Sequence, residues 1–193
     1  MDTYSALLVA VGRWLDRDDL DAQVPDFIRL TEAQLNRRLS DPEMEVSTTL
    51  TGDGALLPDD FGEMVSIGTA DGYRLTPMSN TEYSAIMPSS GKSAFYTIRE
   101  GRVYYNAGAV NPVLVYRRSI PPLTATNSSN WLLLRAPDVY LYGALLQASA
   151  FLVEDERIPL WKSAFEEAVV QLQADGARRK WGAGTIAPRI ARP

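Results

Sequence analysis

Chemistry in this chain has to be done by carboxylates, amines, guanidinium groups, hydroxyls and phenols, because its 193 residues include neither cysteine nor histidine. That composition removes disulfides, thiolate nucleophiles, zinc sites of the Cys/His type and imidazole bases. Adjacent carboxyls occur in Leu57-Pro58-Asp59-Asp60-Phe61. A glycosidase, however, holds its two carboxyls roughly 5 to 10 Å apart across a cleft, and neighbours in a turn do not face each other that way. A turn that delivers Phe61 to a core is the better reading. Asp18, Asp19 and Asp21 crowd together but lack the glycine and closing glutamate of a calcium loop, so a solvated turn accounts for them. Tyr96, Tyr104, Tyr105 and Tyr116 run among Arg99, Arg102, Arg117 and Arg118, a pattern able to stack single-stranded nucleic acid. Tyrosine is common in strands, and a subunit interface is the stronger expectation for these four rings. No glycine-rich phosphate loop is present, and neither a cofactor nor a metal is expected.

The basic end of the chain is the most suggestive feature. After Asp175 there is no acid, whereas Arg178, Arg179, Lys180, Arg189 and Arg192 are all cationic. Since the chain totals −5, the rest of it carries about −10. An acidic body argues against a nucleic-acid-binding surface, because neutralising phosphates supplies most non-specific affinity. One reading of the basic run is a solvated helix end followed by a loose tail. The other is an arm that folds onto an acidic partner, with Trp181 and Ile190 as apolar anchors and the arginines as steering and pairing groups.

Stepping through the elements that must position these groups, Tyr4, Leu7, Leu8, Val11 and Leu15 trace one face of a helix expected over residues 3 to 17, with Thr3 as its cap. Asp18 to Asp21 interrupts the pattern. Pro25 then opens a second helix over 25 to 39, which Asp41-Pro42 ends. From Glu45 the period changes to two. Strands are expected at 45–51, 64–68, 73–77, 94–99, 102–106 and 113–119, with turns at Gly52-Asp53-Gly54, Asp71-Gly72 and Glu100-Gly101 and a helical turn or two at 80–87. A polar loop from Thr124 to Asn130 returns the chain to helix. Pro137 is placed as a first helical residue should be, and VYLYGALLQASAFLV from Val139 to Val153 is apolar nearly all round, so this core helix must be sheathed by others. It is too short to span a membrane. After an acidic hinge at Glu154-Asp155-Glu156, Ile158, Trp161, Ala164, Phe165, Ala168, Val169 and Leu172 form one apolar stripe on a last helix that ends at Arg178-Arg179-Lys180.

The expected fold class is α+β: an up-and-down helical bundle built from both chain ends, with an antiparallel β domain inserted and a C-terminal extended arm. The boundaries read as bundle over 1–42, β insert over 43–130, bundle again over 131–180 and arm over 181–193. The opening residues lack the basic-then-apolar order of a signal peptide, which agrees with an intracellular origin.

Several of these stretches, taken in order, resemble the adaptor proteins of tailed bacteriophages, the head-to-tail connector subunits that ring the portal. They are Phe27-Ile28-Arg29-Leu30-Thr31-Glu32-Ala33-Gln34-Leu35-Asn36-Arg37 with Met44-Glu45, then Leu56-Leu57-Pro58-Asp59-Asp60-Phe61, then Asn130-Trp131-Leu132-Leu133 and Pro137 to Leu146, and last Asp155-Glu156-Arg157 and Arg178-Arg179-Lys180-Trp181-Gly182. The resemblance implies a structural virion protein at the head–tail junction, made in the host cytoplasm, and no enzyme. It implies a cyclic homo-oligomer of twelve copies under the portal protein, a surface for a tail or nozzle protein, and DNA passing through the centre during packaging and ejection without sequence-specific binding. It also implies a C-terminal segment inserted into the portal, which favours the arm reading of Arg178, Arg179, Lys180, Trp181, Arg189, Ile190 and Arg192. Two rival classes stand beside it: a carboxylate-based cell-wall glycosidase, and a small cytosolic binding module.

Overall fold

The computed structural model describes residues 1–85, 95–105, 111–152 and 155–182. The protein is α+β, and its chain folds as two compact units, one from Met1–Glu43 together with Ile120 onward, the other from Met44–Ser119.

In the helical unit, α1 spans Tyr4–Leu15, with Thr3 Oγ1 accepting from the Ala6 amide as its cap. Leu7, Val11 and Leu15 face inward from it. Asp18–Gln23, the interruption in the apolar pattern, is a 3-10 helix that buries Leu20. Next comes α2, Val24–Arg38, burying Phe27, Ile28, Thr31, Glu32 and Leu35. The lead-in before Pro137 is a helix of its own, α4 (Trp131–Arg135), whose cap Asn130 accepts from the Leu133 amide through Oδ1. It cannot merge with α5 (Pro137–Gln147), because the residue before a proline, here Ala136, is pushed out of helical geometry. The apolar run does not continue as α-helix to Val153 as its composition predicts. It tightens into a 3-10 turn over Ala148–Phe151, and Val153 lies outside the described residues. Finally α6 covers Ile158–Trp181.

The helix α5 is the centre of this unit and touches α1, α2, α4 and α6. Val139, Tyr140, Ala144 and Leu145 are fully buried. Gly143 sets the approach of its neighbours: a Cβ there would stand 2.3 Å from Thr31 Cγ2 and 3.1 Å from the Phe165 ring. The return segment from Ile120 is hydrogen-bonded into this unit, the Ile120 amide to Asn36 Oδ1 (2.7 Å) and the Leu123 amide to Glu32 Oε1 (2.9 Å).

The other unit holds two sheets. One has the order β1 (Glu45–Thr49), β7 (Val113–Arg118), β3 (Phe61–Gly68), all antiparallel. The other runs β2 (Ala55–Leu56), β6 (Arg102–Tyr105), β5 (Phe95–Arg99), β4 (Thr76–Pro77). Tyr73–Pro77 contributes only those last two residues, at an edge and parallel to β5, where Pro77 needs no ladder donor. Between β4 and β5 lies the short α3, Asn80–Ala85. Glu100 and Gly101 both have positive φ (53° and 70°), as a tight hairpin turn between β5 and β6 requires. Leu50, Ile67, Leu75, Val103, Tyr105, Leu114 and Tyr116 make the core. Residues 94 and 106, expected as strand ends, and Met87 lie outside the described residues. Among the described residues no helix is long and apolar enough to cross a membrane.

A side chain at Gly143 has nowhere to go. Gly143→Val is expected to destabilise the protein by about 2–3 kcal/mol through overpacking, read as a lower urea midpoint at unchanged slope, whereas Gly72→Ala, at an open turn position, lowers it less.

Candidate functional site

The basic end is positioned by α6. Pro159 sits in its first turn, and the stripe Trp161, Phe165, Ala168, Val169, Leu172 faces α5 as the spacing predicts, extended by Gly176. Gly176 is there because a Cβ would lie 2.8 Å from Asp41 Oδ2. One turn further on, Arg179 Nη2 donates to that same oxygen at 2.8 Å. Arg135 Nη1 reaches both oxygens of Asp41 at 3.1 and 3.0 Å and its Nη2 reaches Glu43 Oε1 at 3.0 Å. The Glu43 amide donates to Asp41 Oδ1 at 2.9 Å. Asp41 is thus a carboxylate only 3% exposed, held by two guanidinium groups and an amide. It joins the chain beyond α2 to the end of α4 and the last turn of α6. Sequence reasoning missed this clamp: Asp41 reads as a helix stop before Pro42, and nothing local announces partners about 90 and 140 residues away.

The basic run therefore divides by role. Arg178 pairs with Asp175 one turn back. Arg179 belongs to the clamp. Lys180 lies 5.5 Å from the Trp181 ring centroid, and Trp181 is 60% exposed. The helix runs through Trp181, and Gly182, with φ +71°, stops it, so any arm starts beyond Gly182 rather than at residue 181. Arg189, Ile190 and Arg192 lie outside the described residues.

The four tyrosines also separate. Tyr105 and Tyr116 are each 5% exposed and belong to the core of the β unit, so neither offers a ring to a neighbour. Alternation on a strand cannot say which face is covered; here β6 and β7 turn these two rings inward. The Tyr116 hydroxyl donates to Asp60 Oδ1 at 2.8 Å, and burial, then that carboxylate, push the phenol up to about 12. Phe61 stacks on the same ring. Asp60 is thereby committed to the turn that brings Phe61 inward. Tyr96 packs on the core margin, and Tyr104 is half-buried beneath the Arg99 guanidinium, 4.4 Å from its centroid. Arg117 pairs with Glu63, and Arg102 Nη1 donates to the Gly54 carbonyl, which engages the cations that would have met nucleic acid. Arg17 pairs with Asp19, and among the described residues no group of three or more acidic side chains is arranged to hold a metal.

A buried polar network lies deeper. Glu32, 5% exposed, accepts from the Tyr140 hydroxyl and the Leu123 amide through one oxygen, each at 2.9 Å. Asn130 Nδ2 donates to the Tyr140 oxygen and to the Pro121 carbonyl, both at 2.7 Å. Burial raises the Glu32 carboxyl above its ordinary 4.5, partly opposed by those two hydrogen bonds, and raises Tyr140 as well. These groups fix the returning chain to α2 and α5.

Clamp, network and inward phenols all spend their polar groups on holding the fold, while exposed charge and an exposed indole gather at one helix end. Together they describe an α+β protein whose buried polar groups serve its fold. The family model of the SU10 adaptor protein matches residues 2–189, and the chain belongs to that family: it is a structural adaptor of a bacteriophage and a component of the virion. A search of curated proteins gave no match.

Asp41→Ala is expected to cost about 2–3 kcal/mol, below the usual loss for a broken buried pair because Arg135 and Arg179 are part-exposed and can hydrate; urea denaturation reads it, and Arg179→Ala should cost about 1 kcal/mol or less. Glu32 binds its proton more tightly folded than unfolded, so its contribution to stability is present below 4.5 and declines as pH rises through the raised folded value. Glu32→Gln keeps an acceptor and should flatten that decline in denaturation midpoints measured from pH 4 to 8.

Proposed function

We propose that this adaptor sits at the head–tail junction, binding the portal ring on one side and offering a tail or nozzle protein its attachment surface on the other. The family match carries this reading, since it extends to residue 189 and so takes in both folded units and the basic end as far as Arg189. Twelve copies form a closed ring, and the genome passes through its centre during packaging and ejection. An acidic body suits a conduit, which has to repel DNA rather than retain it. The portal-binding residues are Lys180 and Trp181 at the end of α6, with Arg178 and Arg179 at their root, and Arg189, Ile190 and Arg192 on the arm that follows. They dock on an acidic portal surface, Trp181 supplying the apolar anchor and the arginines the pairing. Tyr96 and Tyr104, rather than the two inward tyrosines, remain as contacts between subunits. The protein is made in the host cytoplasm and acts without catalysis. Of the adjacent carboxylates weighed for a glycosidase, Asp60 is committed to the Tyr116 hydroxyl.

A mixing experiment with portal particles tests this, by pull-down and by cryo-EM, using the full chain and a chain ending at Arg179. That end point keeps the clamp on Asp41 and removes the indole and everything after it. Full-length binding with at least a tenfold loss on truncation is expected. Binding that survives truncation moves the interface to the folded body, and failure of both forms sinks the portal reading.

A further inference from the structure

A groove of about 460 Å³ lies on the helical unit where the second half of α1 faces the start of α2. Leu8, Val9 and Val24 give it apolar walls, and Asp16, Asp18 and Asp21 give it an acidic rim. Arg13 also lines it, leaving the carboxylates in excess. Val9 is 61% exposed, so the apolar surface is open to a partner. Gly12 lets the rim close on α1, since a Cβ there would stand 3.0 Å from Asp21 Oδ1. Among the described residues no cation lies in ion-pair contact with Asp18 or Asp21, while Asp16 also feels the Arg157 guanidinium.

A segment of matching chemistry exists in this same chain. Residues 183–193 contain no acid, two arginines (Arg189 and Arg192), two isoleucines (Ile186 and Ile190) and two prolines. Arginines three apart fall on one side of a polyproline-type strand, as a rim of carboxylates beside an apolar wall would require. Reach decides whose segment it is. Arg157, at the start of α6, donates to the Trp14 and Leu15 carbonyls beside the acidic end of the groove, whereas Arg179, at the other end of α6, is clamped to Asp41. The 24 residues of α6 separate the two points by about 36 Å. Eleven residues at full stretch cover roughly 36–40 Å, which would be used up before any of them could lie in the groove of their own chain. The groove and Gly182, the residue before the segment, therefore lie at opposite ends of the helical unit, the arrangement that a heterologous, head-to-tail contact needs.

We propose that, away from the portal, the groove between α1 and α2 holds residues 183–193 of a second copy of this chain. The inference rests on the reading of that segment as a binding arm, and the portal then competes with the neighbouring subunit for it. Subunits would be joined in one direction before they meet the portal, and the apolar-basic segment would be covered until it does.

The test titrates a fluorescent peptide of residues 183–193 into the chain ending at Gly182, and sediments full-length and shortened chains over a concentration series. Saturable peptide binding is expected, weakened at least tenfold by Asp18→Asn with Asp21→Asn, by Val9→Lys, and by raising salt from 50 to 300 mM. All three altered positions are exposed, and unchanged unfolding midpoints would show that the variants still fold. Full-length protein should associate with rising concentration and the shortened chain should do so less. No peptide binding, binding indifferent to both groove variants, or equal sedimentation of the two chains would overturn the proposal. So would a full-length chain that stays monomeric while blocking the peptide, since the segment would then lie in its own groove. Portal pull-down is scored separately: its failure beside intact peptide binding removes the portal reading and leaves the contact between copies standing.

Discussion

Burial of α5 is the constraint on which the helical unit depends. A segment apolar nearly all round has no side to show to water, so α1, α2, α4 and α6 have to cover it. The covering is close because Gly143 removes a side chain where Thr31 and Phe165 come nearest. Thr31 can lie in that contact since its hydroxyl is satisfied by the Phe27 carbonyl at 2.8 Å. Hydrophobic burial supplies the driving force, while the glycine and the satisfied threonine decide how near the helices come.

Two polar devices then deal with a chain that leaves this core for the β unit and comes back. The Glu32, Tyr140 and Asn130 network receives the returning backbone at Pro121 and Leu123. The Asp41 clamp secures the departing backbone beyond α2 against α4 and α6. At their centres Glu32, Tyr140, Asn130 and Asp41 are buried and hydrogen-bonded, as such groups must be to avoid a desolvation cost. They also tie residues far apart in sequence, so the bundle closes only when both chain ends are in place.

The division of charge has a functional sense in an adaptor. Most of the chain is acidic, and the positive charge is gathered at the end of α6 and beyond. Within that cluster Arg179 is clamped to Asp41 and Arg178 pairs with Asp175 on the same helix, while Lys180 and Trp181 stand at the exposed end of α6. A helical unit with the basic end of α6 on one side and an acidic apolar groove between α1 and α2 on the other has the polarity that directional assembly needs.

Much of this was legible in the residues themselves. Pro25, Pro137 and Pro159 mark helix starts, the spacing of Trp161, Phe165, Ala168, Val169 and Leu172 marks a buried stripe, and Glu100-Gly101 marks a hairpin. These signals are local, because they depend on φ limits, capping and periodicity within a few residues. The α+β class and the need to sheath α5 followed from them. Tertiary structure alone decided that Arg179 is a clamp residue, that Tyr105 and Tyr116 face inward while Trp181 does not, and that Asp41 is the centre of a network. The Tyr116 and Asp41 contacts join residues 56 to 138 apart, and a chain's charge and period carry no address for contacts at that separation. The sequence thus determined which segments must be helix or strand and which faces want burial; packing determined which polar groups those faces would consume and which they would leave for a partner.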